Sequence, residues 1–138
     1  MRQEKSYRAF GTELGRDATP LEAGLDRFLD LSKDFHGKPA MEALGIRSKC
    51  ATLLIDGPAD ADPWGREALY RGADRVGRLT SGGYSVAFGK SIGIGYLRPD
   101  LAVPGTELKV RMQNQLWDAQ VVEDSPYDPQ NARLRADG

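Results

Sequence analysis

Apolar and charged side chains alternate strictly along Glu107-Leu108-Lys109-Val110-Arg111-Met112, the mark of a strand buried on one face. Gln113-Asn114-Gln115 reads as a tight reversal, after which Trp117, Ala119 and Val121 alternate with Asp118 and Gln120. The two runs predict a hairpin. Ala51-Thr52-Leu53-Leu54-Ile55 is short, apolar and stopped by Asp56-Gly57-Pro58, so it predicts a buried strand. Weaker strand patterns cover residues 68–71 and 75–80, and a strong one covers 92–97. Residues 57–65 and 99–105 read as loops, and the tail from Ser125 carries two prolines beyond the last strand.

Ahead of these strands the period is helical. Tyr7, Phe10 and Leu14 are spaced for a helical turn, which Gly11 interrupts. Thr19-Pro20-Leu21-Glu22 combines an N-cap threonine, a first-turn proline and a glutamate placed to close a capping box. Leu21, Leu25, Phe28 and Leu29 follow at helical spacing, predicting a helix over about 20–31. A shorter helix is expected over 39–44, with Gly45 as its stop. The fold class expected is α+β: a helical first third, then an all-β remainder forming a small antiparallel barrel of about six strands, Greek-key or jelly-roll-like.

Residues 77–96 organise this plan. Val76, Leu79, Ile92, Ile94 and Tyr96 are strand formers interrupted by glycines. Glycine in such a pattern marks a bulge, a bend or close approach of another backbone. Thr80-Ser81-Gly82-Gly83 is expected to turn, with positive φ available.

Composition adds mainly exclusions. The chain has 138 residues, 40% hydrophobic and 28% charged, enough for one or two small domains. Nineteen Lys and Arg against twenty Asp and Glu give no global argument for nucleic acid or an anionic membrane. No apolar run approaches the ~20 residues that span a bilayer. Met1 to Phe10 is too charged for a signal peptide, so a cytoplasmic location is expected. One cysteine and one histidine exclude an internal disulfide, a thiolate or histidine metal cage and a Ser-His-Asp arrangement. Cys50 is expected to be a buried thiol and His36 a surface loop residue. Gly89-Lys90-Ser91 resembles the end of a phosphate loop, but Tyr84 stands where its first glycine belongs and a strand follows. Gly93-Ile94-Gly95 lacks the third glycine and the helix of a dinucleotide fingerprint.

Three segments carry a resemblance. They are Arg2-Gln3-Glu4-Lys5 through Phe10-Gly11-Thr12-Glu13-Leu14; Thr19-Pro20-Leu21-Glu22-Ala23-Gly24-Leu25 with Lys33-Asp34-Phe35-His36-Gly37-Lys38; and Gly77-Arg78-Leu79-Thr80-Ser81-Gly82 with Ile94-Gly95-Tyr96. In this order they resemble the C-terminal portion of the glycine cleavage T-protein (aminomethyltransferase) family. The wording from Glu4 to Leu14 is nearest the folate-linked region of dimethylglycine and sarcosine dehydrogenases.

The resemblance implies tetrahydrofolate binding and transfer of a one-carbon unit from a small amine donor. It implies that residues 1–45 are the tail of a central folate-binding domain and 46–138 the C-terminal barrel. It places a pterin-holding carboxylate at Glu4, an arginine for the folate glutamate tail at Arg47, and Tyr7 where it could stack on the pterin. A carboxylate suits the first role because it accepts two parallel hydrogen bonds. No catalytic residue is implied within the chain, since the family's reactive carboxylate belongs to an earlier domain without counterpart after Arg2. FAD would belong only to an upstream region, in the dehydrogenase version. Three readings stay open: part of a folate-dependent enzyme, a stand-alone binding barrel without chemistry, and a subunit completed by a partner chain.

Overall fold

The computed structural model describes residues 1–136. Six antiparallel strands close into a barrel in the order β1-β4-β3-β2-β5-β6. They are β1 (Lys49–Ile55), β2 (Ala68–Arg71), β3 (Asp74–Ser85), β4 (Lys90–Leu97), β5 (Glu107–Met112) and β6 (Gln115–Val122). β2, β3 and β4 are a meander, and β1 lies beside β4 and closes the barrel on β6. This is the Greek-key connection expected from the strand spacing. The inner face is apolar, with Leu53, Ile55, Leu69, Leu79, Leu97 and Val110 fully buried. The β5–β6 hairpin turns at Gln113 (φ 48°) and Asn114 (φ 61°), the positive-φ pair of a two-residue reversal.

Four expectations need correction. First, β3 does not turn at Thr80–Gly83; it runs on to Ser85 and pairs with β4 throughout, with a bulge between Leu79 and Ser81. The glycines there serve close approach rather than positive φ: a Cβ on Gly82 would lie 2.6 Å from the Pro63 ring. The reversal falls instead between β3 and β4, where Gly89 has φ 62°.

Second, no helix covers 20–31. The capping box forms, with the Thr19 amide donating to Glu22 Oε1 (3.1 Å) and the Glu22 amide to Thr19 Oγ1 (3.2 Å). After one turn Gly24 takes φ 73°, while Gly24 N–H bonds Leu21 O and Leu25 N–H bonds Pro20 O. That pair of bonds is a Schellman closure. The start signal was real, and a glycine stop four residues beyond the proline ended it. A separate 3-10 turn at Asp26–Phe28 accounts for the remaining helical spacing.

Third, the Tyr7–Leu14 segment is not helical. A 3-10 turn at Gln3–Lys5 stops at Ser6 (φ 55°), and Phe10 is exposed. Fourth, the part after β1 is not purely β: a 3-10 turn (Pro99–Leu101) and a one-turn helix, Ala132–Arg135, lie outside the strands. The helix expected over 39–44 is present as α1 (Lys38–Leu44), ending at Gly45 with φ 64°.

The capping box matters for stability even without a long helix. Thr19→Ala is expected to cost about 1 kcal/mol, read as a lower urea midpoint with unchanged m-value.

Candidate functional site

Residues 1–25 form a strap across the outer face of β1, β3 and β4. Those strands therefore carry residues buried on both sides, and β4 is buried from Ser91 to Leu97. Cys50, Ile94 and Tyr96 make a small second core beneath the strap. Burial raises the Cys50 thiol to about 12, so it is an inert packing group, as expected.

Polar side chains fix the strap. The Ser6 hydroxyl pairs with Thr52 Oγ1 of β1 at 2.7 Å, and Tyr96 OH of β4 donates to Glu13 O at 2.7 Å. Three carboxylates on the strap are buried: Glu4, Glu13 and Glu22. Glu13 is 1% exposed and accepts from the hydroxyls of Thr12, Thr80 and Ser81, the Ala9 amide and Arg2 Nη1. Burial alone would raise its pKa; the Ser81 and Thr12 hydroxyls, the Ala9 amide and Thr80 overcome this and hold it at about 2. Burial likewise opposes ionisation of Glu22, but Arg47 and the amides of Thr19, Ser48 and Arg47 hold that group at about 2.

The three residues singled out from the sequence lie apart. Glu4 is 8% exposed; its Oε2 accepts from the Met1 amino group at 2.8 Å and its Oε1 from the Ser85 hydroxyl of β3. The Met1 ammonium, then Ser85, hold its pKa below the usual carboxylate range. Tyr7 is half exposed and borders a cavity of about 390 Å³ with Arg8, Leu25, Phe28 and Asp124. Arg47 borders a second cavity of about 390 Å³, which shares no lining residue with the first. Its guanidinium grips Glu22 through Nη2 at 2.8 Å and Nε at 3.3 Å. Glu4 lines neither cavity. His36 is exposed, as expected.

Sequence reasoning missed the hub at Glu13. Its partners Thr80 and Ser81 stand 67 and 68 positions away, and no local period signals so distant a contact. Among the described residues no group of His, Cys, Asp and Glu is placed to hold a metal ion, and no helix is long and apolar enough to cross a membrane.

A closed Greek-key barrel with a polar-pinned strap over one face defines the class of module. Residues 49–128 match the glycine cleavage T-protein C-terminal barrel domain, and the chain belongs to that family. It is 35% identical over 147 residues to the mitochondrial dimethylglycine dehydrogenase of Rattus norvegicus, covering 100% of this chain and 17% of that protein. It is 36% identical over 131 residues to an aminomethyltransferase of Thermosynechococcus vestitus, covering 92% of this chain and 35% of that one. The crystal structure of glycine cleavage system aminomethyltransferase T from Bartonella henselae matches in fold, with TM-score 0.81 over 93% of this chain and 37% of that one, at 22% identity. The chain thus spans between 17% and 37% of the length of these relatives.

Proposed function

We propose that this chain is the C-terminal part of a tetrahydrofolate-dependent aminomethyltransferase-like enzyme, of the T-protein or dimethylglycine/sarcosine dehydrogenase type. Such an enzyme captures a one-carbon unit from a small amine donor on tetrahydrofolate. In this reading residues 1–45 are the tail of a central folate domain, and the rest of that domain comes from upstream sequence or a partner chain.

The observation that carries the reading is the asymmetry of the strap. Its inner side is polar and hydrogen-bonded, while its outer side leaves Tyr7 52% and Phe10 88% exposed, and Phe28, just past its end, is 69% exposed. Large apolar side chains left in water on a segment so firmly held mark a surface that another body covers. The curated relatives have several times more chain with which to cover it.

The donor set suits a reduced folate in kind. Glu4 brings a carboxylate, the acceptor that a pterin ring N–H and its exocyclic amine would meet, here engaged by the Met1 amino group and the Ser85 hydroxyl. Arg47 keeps half its side chain exposed beside a cavity while anchored on Glu22, as a clamp for the folate glutamate carboxylate requires. Tyr7 offers an exposed ring for stacking. Bound tetrahydrofolate supplies the amine nitrogens that accept the one-carbon unit; this chain's residues bind and orient it. FAD belongs to an upstream region if the enzyme is of the dehydrogenase type. A reducing compartment such as the cytoplasm suits a chain whose one cysteine, Cys50, is a free thiol.

Tetrahydrofolate or folinic acid titrated into the full chain is expected to raise the melting temperature with concentration, as mass action requires. Glu4→Ala should remove the shift. An unchanged melting temperature at millimolar ligand would exclude folate binding by this chain on its own.

A further inference from the structure

We propose that the cleft between the Asp17–Ala18 and Arg47–Ser48 segments and the β3–β4 ladder binds a small anion carrying two or more carboxylate or phosphate groups. Four arginines border it: Arg47, Arg75, Arg78 and Arg98. Asp17 is the carboxylate among its lining residues. The floor includes Gly77, where a Cβ would stand 2.1 Å from Tyr96 O, so bare backbone is enforced there.

The pairing pattern leaves donors free. Arg75 makes no ion pair among the described residues, and Arg78 approaches Asp17 only to 3.6 Å, without a hydrogen bond between them. Arg47 and Arg98 bind Glu22 and Asp100 through Nε and Nη2. Their Nη1 groups donate to no described residue. Asp74 acts on Arg98 from further off. The Arg78–Asp17 and Arg98–Asp100 pairs are half exposed, the kind of contact worth about 0–1 kcal/mol. An incoming oxyanion can displace them, because guanidinium forks match carboxylate and phosphate geometry. The volume of about 390 Å³ is that of roughly a dozen liquid waters, room for a triphosphate- or citrate-sized ligand. The cleft shares Arg47 with the folate reading, but Arg75, Arg78 and Arg98 have no part in that reading, and the inference rests on them.

The test is calorimetric titration of the full chain with tripolyphosphate and, separately, with citrate, no folate being present. Saturable binding at one site by either anion is expected, weakened about tenfold or more as salt rises from about 20 to about 200 mM. The double variant Arg75→Gln/Arg78→Gln is expected to lose about tenfold or more in affinity. Arg75→Lys/Arg78→Lys should fall between, keeping charge without the fork. In the native chain, amide chemical shifts should move at Gly77 and Arg78. A preference for tripolyphosphate would identify phosphate, and for citrate carboxylate, as the group the cleft takes. Absence of saturation with both anions up to about 10 mM at low salt, or undiminished binding by the glutamine variant with an unchanged melting temperature, overturns the proposal.

Discussion

Glu13→Ala is expected to cost about 3 kcal/mol of folding stability, because it removes the acceptor for several donors at once. The Ser81 and Thr80 hydroxyls of β3 and the Ala9 amide would lose their common carboxylate, and Arg2 its partner. Ser81 is 6% exposed and water reaches it poorly, so its hydroxyl would be left without that partner in a dry setting. Glu13→Gln should lose less, since one oxygen still accepts. Urea unfolding at pH 7 measures both. A cost for alanine no greater than about 0.5 kcal/mol, the range of ordinary surface substitutions, would mean that Glu13 does not fasten the strap.

The same residue gives the pH dependence its direction. In the fold Glu13 and Glu22 sit at about 2, below the ordinary 4.5 that the unfolded chain restores. A depressed folded-state value contributes stability that is fully present above the ordinary pKa and is lost as protons bind. The melting temperature should therefore hold above about pH 5 and drop between 4.5 and about 2. Glu13→Gln should start lower and fall less steeply through that window.

The second large effect belongs to the seam between β3 and β4. A Cβ on Gly95 would lie 2.4 Å from Arg78 O and 3.0 Å from Leu79 Cα. Both obstacles are backbone of the paired strand, Leu79 being the register partner of Gly95, so neither can rotate away. Gly95→Ala is expected to destabilise by about 3 kcal/mol, the upper end of overpacking costs. Gly77→Ala, whose Cβ would meet Tyr96 O at 2.1 Å, should do as much. Gly72→Ala is the control: it has φ 62° but open space around it, so only about 1 kcal/mol of backbone strain is expected. Thermal melts of the three variants rank them; equal losses at all three positions would show that steric closeness at the seam is not what selects glycine.

These two sites show how legibility depended on range. The β5–β6 hairpin was readable because alternation and turn residues act within a few positions, and the register Leu108↔Ala119 follows from them. Glycines in residues 77–96 were readable as signs of a bulge or close approach, but which strand approached them was not. The capping box at Thr19–Glu22 was readable as a local device. Its second use was not: Glu22 also accepts from the Arg47 side chain and from the amides of Arg47 and Ser48, joining the strap to the entry of β1. Helical spacing misled over 20–31, because Phe28 is exposed and spacing cannot tell a side chain facing the core from one facing water.

By itself the amino-acid sequence determined the strands, the hairpin turn, α1 and the family resemblance, since each rests on propensity, period or wording within short windows. Only the tertiary structure decided that the first 25 residues strap the outside of the barrel rather than form a helical unit. It alone paired Glu4 with Ser85 and Glu13 with Ser81, and it set four arginines around one cleft. The physical reason is that a buried carboxylate can ionise only where converging donors replace its water, and those donors come from strands that meet it only once the barrel has closed.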